Sequence, residues 1–258
     1  MSLKFRAASA TRDQLRLVSF VRFNNRLLRK ISRLFHKIQF LLEWRLSNPE
    51  YFEHQMDLNY QWHESRAAYP MERGVFSSFA LKNDNPPSGT TLDLCCGDGF
   101  YSYYFYSKRS KSVIGIDFDP VAIKFARKNY NKAENINYIV GDIRRDIPDG
   151  PFDNIVWDAA IEHFTESEIE SLVGRIKSVL KTDGILSGYT IVEPADGGKH
   201  LHQHEYEFHD KEDLARFLSP HFKNIQVFST TYPDRVNLYF YASNSLLPFD
   251  RSNSLVIH

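Results

Sequence analysis

The chain has 258 residues, its 32 Lys and Arg balance its 32 Asp and Glu, and aromatic residues make up 14%. That length is ample for one buried core with appendages, and no apolar run in it reaches the length of a membrane span. The only cysteines, Cys95 and Cys96, are adjacent. This excludes a disulfide framework and, with no signal peptide apparent, predicts a reducing, cytoplasmic setting. Charge is unevenly placed: residues 1–45 carry eleven Lys and Arg against Asp13 and Glu43, so this segment holds +9 and the remainder −9.

From about Gln14 to Leu46 the spacing predicts a helix. Leu27, Leu28, Ile31, Leu34, Phe35, Ile38, Leu41 and Leu42 fall on one apolar face, with basic residues over much of the rest. Such a helix packs on its own domain or on a second subunit. It also suits an acidic membrane surface or another polyanion, so residues 14–46 are candidates for a peripheral membrane or homo-oligomer contact. An arginine-rich, acid-poor N-terminus has the composition of an organelle transit peptide as well. Asn48-Pro49 ends the helix. Residues 50–82 carry a second helical stretch broken at Tyr69-Pro70, where Pro70 suits the first turn of a helix from Met71 to Leu81. The run Asn83-Asp84-Asn85-Pro86-Pro87-Ser88-Gly89 has linker chemistry. The expected organisation is a basic helical extension (1–48), a helical cap (49–88), a catalytic domain (89–245) and a tail (246–258).

Thr91-Leu92-Asp93-Leu94-Cys95-Cys96-Gly97-Asp98-Gly99-Phe100 reads as a buried strand ending in a glycine turn that opens a helix, Phe100 to Ser107. Strands are predicted at Val113–Asp117, Ile136–Val140, Phe152–Asp158 and Gly184–Val192, and helices at Pro120–Asn129 and Glu166–Leu180. A helix from Lys211 to Leu218 and strands at Asn224–Thr231 and Val236–Ala242 complete the pattern. Strand and helix alternating in this way predict an α/β fold with a doubly wound, mostly parallel sheet. Asp117 lies twenty positions after Gly97, the spacing at which a carboxylate meets ribose hydroxyls in a dinucleotide crevice.

The glycine turn, with Asp93 before it, resembles motif I of the class I S-adenosylmethionine-dependent methyltransferases, with Cys95 standing where the family usually has its first glycine. The resemblance covers roughly residues 89–243. It implies a seven-stranded sheet with the last strand inserted antiparallel, and S-adenosylmethionine as cofactor. By the same resemblance Asp93, Cys95, Gly97 and Gly99 form the cofactor turn, and Asp117 accepts from the ribose hydroxyls while Phe118 packs on adenine. Asp142 and Ile143 meet the adenine ring and its amine, and the end of the fourth strand at Asp158 lies beside the methionine half. Helices upstream of the motif often cover the cofactor in this family, which makes Tyr60, Trp62, His63, Tyr69 and Arg73 lid candidates. The cofactor's carboxylate requires a fixed cation, for which Arg73 is the candidate, a surface arginine being the alternative.

Asp158-Ala159-Ala160-Ile161 lacks the Asp/Asn-Pro-Pro-aromatic signature of enzymes that methylate amino groups of adenine or glutamine, which argues against nucleic acid as acceptor. The Glu162-His163 turn resembles the Glu-His turn of the family. A hydroxyl acceptor needs a base, and His163, His200, His202 and His204 are the candidates, the last three in a flexible loop after the fifth strand. Alternating histidines can also ligate a metal, but no second ligand group at matching spacing stands near them in sequence, so no metal is expected. The expected function is methyl transfer to a small molecule, a hydroxyl of a sugar or specialised metabolite. The alternatives are a nucleic-acid methyltransferase that uses the basic helix and a non-catalytic cofactor-binding relative.

Overall fold

The computed structural model describes residues 20–21, 23–28, 30–32, 34–35, 38, 69–82, 84–130, 132–232 and 235–248. The chain divides into two units, Met1–Tyr60 and Gln61–His258. In the first unit every described residue is helical, and Phe20, Phe23, Leu27, Leu28, Leu34 and Phe35 are exposed. The rest of the helix expected over 14–46, and Tyr60, Trp62 and His63, lie outside the described residues. No described helix is long and apolar enough to cross a membrane.

The second unit is built on a seven-stranded sheet. Its strands are β1 (Thr90–Leu94), β2 (Ser112–Asp117), β3 (Ile136–Val140), β4 (Phe152–Asp158), β5 (Leu180–Ile191), β6 (Asn224–Tyr232) and β7 (Arg235–Ser243). They lie in the order β3-β2-β1-β4-β5-β7-β6, with only β7 antiparallel to its neighbours. Every residue of β4 is buried, as expected for a central strand covered by helices on both faces. The chain winds outward from β1 through β2 to β3, then returns to place β4 on the other side of β1. The crevice between the carboxyl ends of β1 and β4 is therefore the switch point of the sheet, where α/β folds bind ligands.

The helices form where their caps and apolar stripes direct. These are α1 (Tyr69–Phe79), α2 (Pro120–Asn129), α3 (Glu166–Val179) and α4 (Lys211–Leu218). Asp119 caps α2 by accepting from the Val121 N–H, with Pro120 at the first helical position. Thr165 and Glu168 form a reciprocal capping box on α3. Ile169, Leu172, Val173 and Ile176 of α3 and Leu214, Phe217 and Leu218 of α4 bury against Leu92, Ile155, Trp157 and Leu186 of the sheet. Burying each such side chain contributes about 1.5–3 kcal/mol. On α1, Phe76 meets the Tyr239 ring edge-on at 4.8 Å, and Glu72 accepts from the hydroxyls of Tyr239 and Thr230.

The helix expected from Phe100 begins there and widens into a π-helix over Ser102–Tyr106, in which the Ser107 N–H reaches the Ser102 carbonyl at 2.8 Å. Its widened backbone leaves the Ser102 hydroxyl donating to Asp93. Of the ring-rich segment, Tyr101 and Tyr106 are buried and Tyr104 is exposed. The glycine turn itself requires left-handed backbone at Cys95 (φ 57°), Gly97 (φ 55°) and Gly99 (φ 79°). A Cβ on Gly99 would stand 2.6 Å from the Tyr138 ring. Ala159, just past β4, is also left-handed (φ 52°). The two strands that flank the crevice thus end on strained non-glycine residues.

One buried ion pair joins α1 to β4. Arg73 donates to Asp158 Oδ2 through Nε at 3.0 Å and Nη2 at 2.8 Å, and its guanidinium lies 4.6 Å from the Tyr101 ring centre and 5.1 Å from that of Tyr189. Replacing Arg73 with Leu strands the Asp158 carboxylate. Urea unfolding is expected to show a loss of about 3–5 kcal/mol, the cost of breaking a buried pair from one side. By contrast, Cys95→Gly removes left-handed strain and should raise the unfolding free energy by about 0.5–1 kcal/mol in the same assay.

Candidate functional site

Three carboxylates stand near the carboxyl ends of adjacent strands: Asp117 on β2, Asp93 on β1 and Asp158 on β4, only 7%, 3% and 7% exposed. Burial raises the pKa of all three. Asp93 is pushed up to about 8 by burial, despite the Ser102 hydrogen bond, with Asp158 and Asp117 adding to the rise. A carboxyl near 8 when folded and about 4 when unfolded lowers stability progressively as pH rises between those values. Asp158 is also raised by burial, against the pull of Arg73. Burial alone would lower Arg73, but Asp158 more than compensates and keeps the guanidinium charged. Asp158 Oδ1 has no hydrogen-bond partner although it is buried, which leaves an acceptor available to a cationic donor.

Asp117 ties two turns together, accepting from the Gly97 N–H through Oδ2 and the Asp119 N–H through Oδ1, each at 2.9 Å. Beside it opens a cavity of about 450 Å³ lined by residues from four strand ends, among them Cys95, Asp117, Phe118, Asp142, Ile143 and His163. Phe118 is 72% exposed, an apolar plate against which an aromatic ring can stack. Burial pushes the Cys95 and Cys96 thiols well above their ordinary value, so neither supplies a thiolate near neutral pH.

Six residues singled out from sequence therefore line one cavity: Cys95, Asp117, Phe118, Asp142, Ile143 and His163. Gly97 and Gly99 shape the turn beneath it, while Asp93, Asp158 and Arg73 lie buried outside the lining. Arg73 is engaged by Asp158. His200 and His204 both donate through Nδ1 to one carboxylate, Glu207, with the His204 ring 4.9 Å from that of His163, and His202 is exposed. Sequence reasoning did not single out Ala159, Ala160, Phe164, Arg144 or Gln203 as lining. The left-handed turn at Ala159 has no glycine or asparagine to announce it.

The loop after β5, read from sequence as flexible, is anchored at its far end. The N–H groups of Glu205 and Tyr206 both donate to the Glu162 carbonyl, at 2.8 and 3.1 Å. Gln203 is thereby brought to the cavity, opposite the glycine turn in sequence but adjacent in space to His163. Glu207 accepts from His200 Nδ1 at 2.9 Å and from His204 Nδ1. Burial alone would raise the Glu207 pKa, yet these two hydrogen bonds hold it below the ordinary carboxylate value.

Comparison with known proteins agrees with this geometry. Residues 91–184 match the family model for a methyltransferase domain. An uncharacterized methyltransferase of Synechocystis is 30% identical over 112 residues, 43% of this chain and 50% of that protein. The chain thus spans about half the length of that curated relative. Among solved structures, the N-methyltransferase NodS of Bradyrhizobium japonicum superposes with a TM-score of 0.55 at 17% identity, over 69% of this chain and 99% of that one. Phosphoethanolamine N-methyltransferase 2 of Haemonchus contortus, solved with phosphomonomethylethanolamine and S-adenosylhomocysteine, gives 0.54 at 15% identity, over 62% of this chain and 49% of that one. The strand order and the switch-point cavity are thus those of a methyltransferase fold, and residues 91–184 match a methyltransferase domain.

Proposed function

We propose that the chain transfers the methyl group of S-adenosylmethionine to a small-molecule acceptor, a hydroxyl of a sugar or specialised metabolite. The observation that carries this reading is the switch-point cavity, where Asp117, Phe118, Asp142 and Ile143 stand on one side and His163 and Gln203 on the other. The first group suits a nucleoside. Asp117 offers a carboxylate to vicinal hydroxyls, Phe118 a stacking face, and Asp142 an acceptor for an exocyclic amine. The free Oδ1 of Asp158 suits the ammonium of the methionine half. The acceptor side supports a small molecule over a nucleic acid. Arg144 is the single cation in the lining, and it is already held by Glu168 at 2.7 Å, so a phosphate backbone finds little positive field there.

The chemistry follows from the cofactor's own activation. The sulfonium carries the methyl as an electrophile, so this chain's residues orient two reactants, exclude water and manage one proton. Buried carboxylates beside the cofactor's positive charges favour its binding, and His163 is the cavity histidine that faces the acceptor end.

Two outcomes are expected. His163→Ala should lower kcat for the acceptor about 10²–10⁴-fold while calorimetry shows cofactor affinity little changed. A fall in affinity at unchanged saturated turnover would assign His163 to binding instead. A cation held near Asp93 favours its ionised form, so cofactor affinity should rise as pH approaches about 8 and level off above it. Binding at pH 7 then releases a proton, seen as a dependence of the calorimetric heat on the buffer's ionisation enthalpy. Asp93→Asn should abolish that dependence.

A further inference from the structure

Glu162, His163 and His204 each place a ligand atom within 4.8 Å of the others. Forty-one positions of sequence separate His163 from His204, and the stitching of Glu205 and Tyr206 to the Glu162 carbonyl brings them together. Their rings meet edge to face at 4.9 Å.

We propose that Glu162, His163 and His204 bind one divalent transition-metal ion at the acceptor end of the cofactor cavity, and that this ion activates the acceptor hydroxyl. The second clause rests on the methyltransferase reading above; the first does not.

Four observations carry it. First, both histidines are oriented as ligands. His204 Nδ1 donates to the Glu207 carboxylate and His163 Nδ1 to the Gln203 carbonyl at 3.3 Å. Each of these partners only accepts, so the proton of the neutral ring sits on Nδ1 and the lone pair on Nε2. An imidazole whose other N–H is held by a carboxylate or carbonyl is the usual arrangement around a protein-bound metal. Second, Glu162 is 5% exposed, and its carboxylate accepts only from the Thr190 hydroxyl at 3.0 Å. No Lys or Arg among the described residues pairs with it, and a buried carboxylate without a cation nearby is costly. Third, Glu207 is itself buried and receives His200 as well as His204, so its orientation is fixed from two sides. Fourth, His163 lines the cavity, so an ion on its Nε2 would face the acceptor.

Donors bound at about 2.0–2.2 Å stand about 3–3.6 Å apart. Closing the triad therefore needs a contraction of about an ångström, within reach of rotation of the half-buried His163 ring. Two imidazoles and one carboxylate suit Zn(II), Fe(II) or Mn(II) and leave coordination positions open, as in catalytic rather than structural sites. In the step this permits, the acceptor hydroxyl coordinates the ion and its proton leaves to water. The oxygen lone pair then forms the O–CH3 bond while the CH3–S bond breaks. Its electron pair returns to sulfur, leaving S-adenosylhomocysteine.

The test uses tag-free, full-length protein dialysed against a chelator and titrated with Co(II), read by its visible absorption. One ion per chain is expected. His163→Gln and His204→Gln should each abolish the bands or weaken binding more than about 100-fold. Glu207→Gln should weaken it about 10–100-fold, as loss of an outer partner does. His221→Gln, outside the cluster, should leave binding unchanged. Melting of the metal-free proteins checks folding, and His163→Gln, on the most accessible ligand, keeps the test valid if the buried His204 variant does not fold. Absence of Co(II) uptake, or uptake equal in wild type and His163→Gln, overturns the proposal. Calorimetry with S-adenosylhomocysteine on the metal-free protein separates the two readings. Cofactor binding without Co(II) uptake removes the metal and leaves the methyltransferase. Co(II) uptake without cofactor binding removes the proposed activation step and leaves the metal site.

Discussion

Three buried carboxylates crowd the carboxyl edge of the sheet, and the charge they would carry decides much of what surrounds them. Asp158 takes a buried cation, Arg73, and with it ties α1 to the end of β4. Asp93 has only the Ser102 hydroxyl and holds its proton to about pH 8. Asp117 is solvated by backbone N–H groups in place of water. Fully ionised together, the three would repel one another in a low-dielectric setting. A ligand bearing sulfonium and ammonium charge relieves that repulsion, whereas a pyrophosphate would add to it. On a sheet that both ligand classes share, the charge of the strand ends thus favours a sulfonium nucleotide over a dinucleotide.

The same edge carries local backbone strain. Cys95 and Ala159 adopt left-handed conformations that glycine would take without cost, and both line the cavity. At Cys95 a side chain fills space that a glycine would leave open to the ligand. Strain of this kind persists where surrounding contacts enforce it. Here the Cys96 N–H to Ile116 carbonyl and Ala159 N–H to Tyr189 carbonyl bonds do so, at 3.0 and 2.9 Å.

Much of the fold was legible because its signals are local. Asp119-Pro120 announces α2 as a cap and first turn, and β3, β4, α2 and α4 fall where periodicity places them. β5 begins at Leu180 and not at Gly184, because pairing with Phe152 carries the strand through a Thr182-Asp183-Gly184 sequence that reads as a turn. The π-helical winding was not legible, since the rings of Tyr103 and Tyr104 within it pack on Phe100 and on Tyr130, a residue more than twenty positions later. The motifs singled out Cys95, Asp117, Phe118, Asp142 and Ile143, which come together around one cavity because each follows or ends a strand. The opposite wall depends on contacts between His163 and the loop about forty residues later, which no spacing rule within that loop can supply.

Glu162 connects these two sides. Its backbone carbonyl anchors the later loop while its neighbour His163 faces the cavity. The stretch of loop that carries Gln203 to the cavity is therefore tied at its far end to the turn after β4 by main-chain bonds. On that side of the cavity, accommodation of a ligand then falls to side chains within a frame anchored from behind.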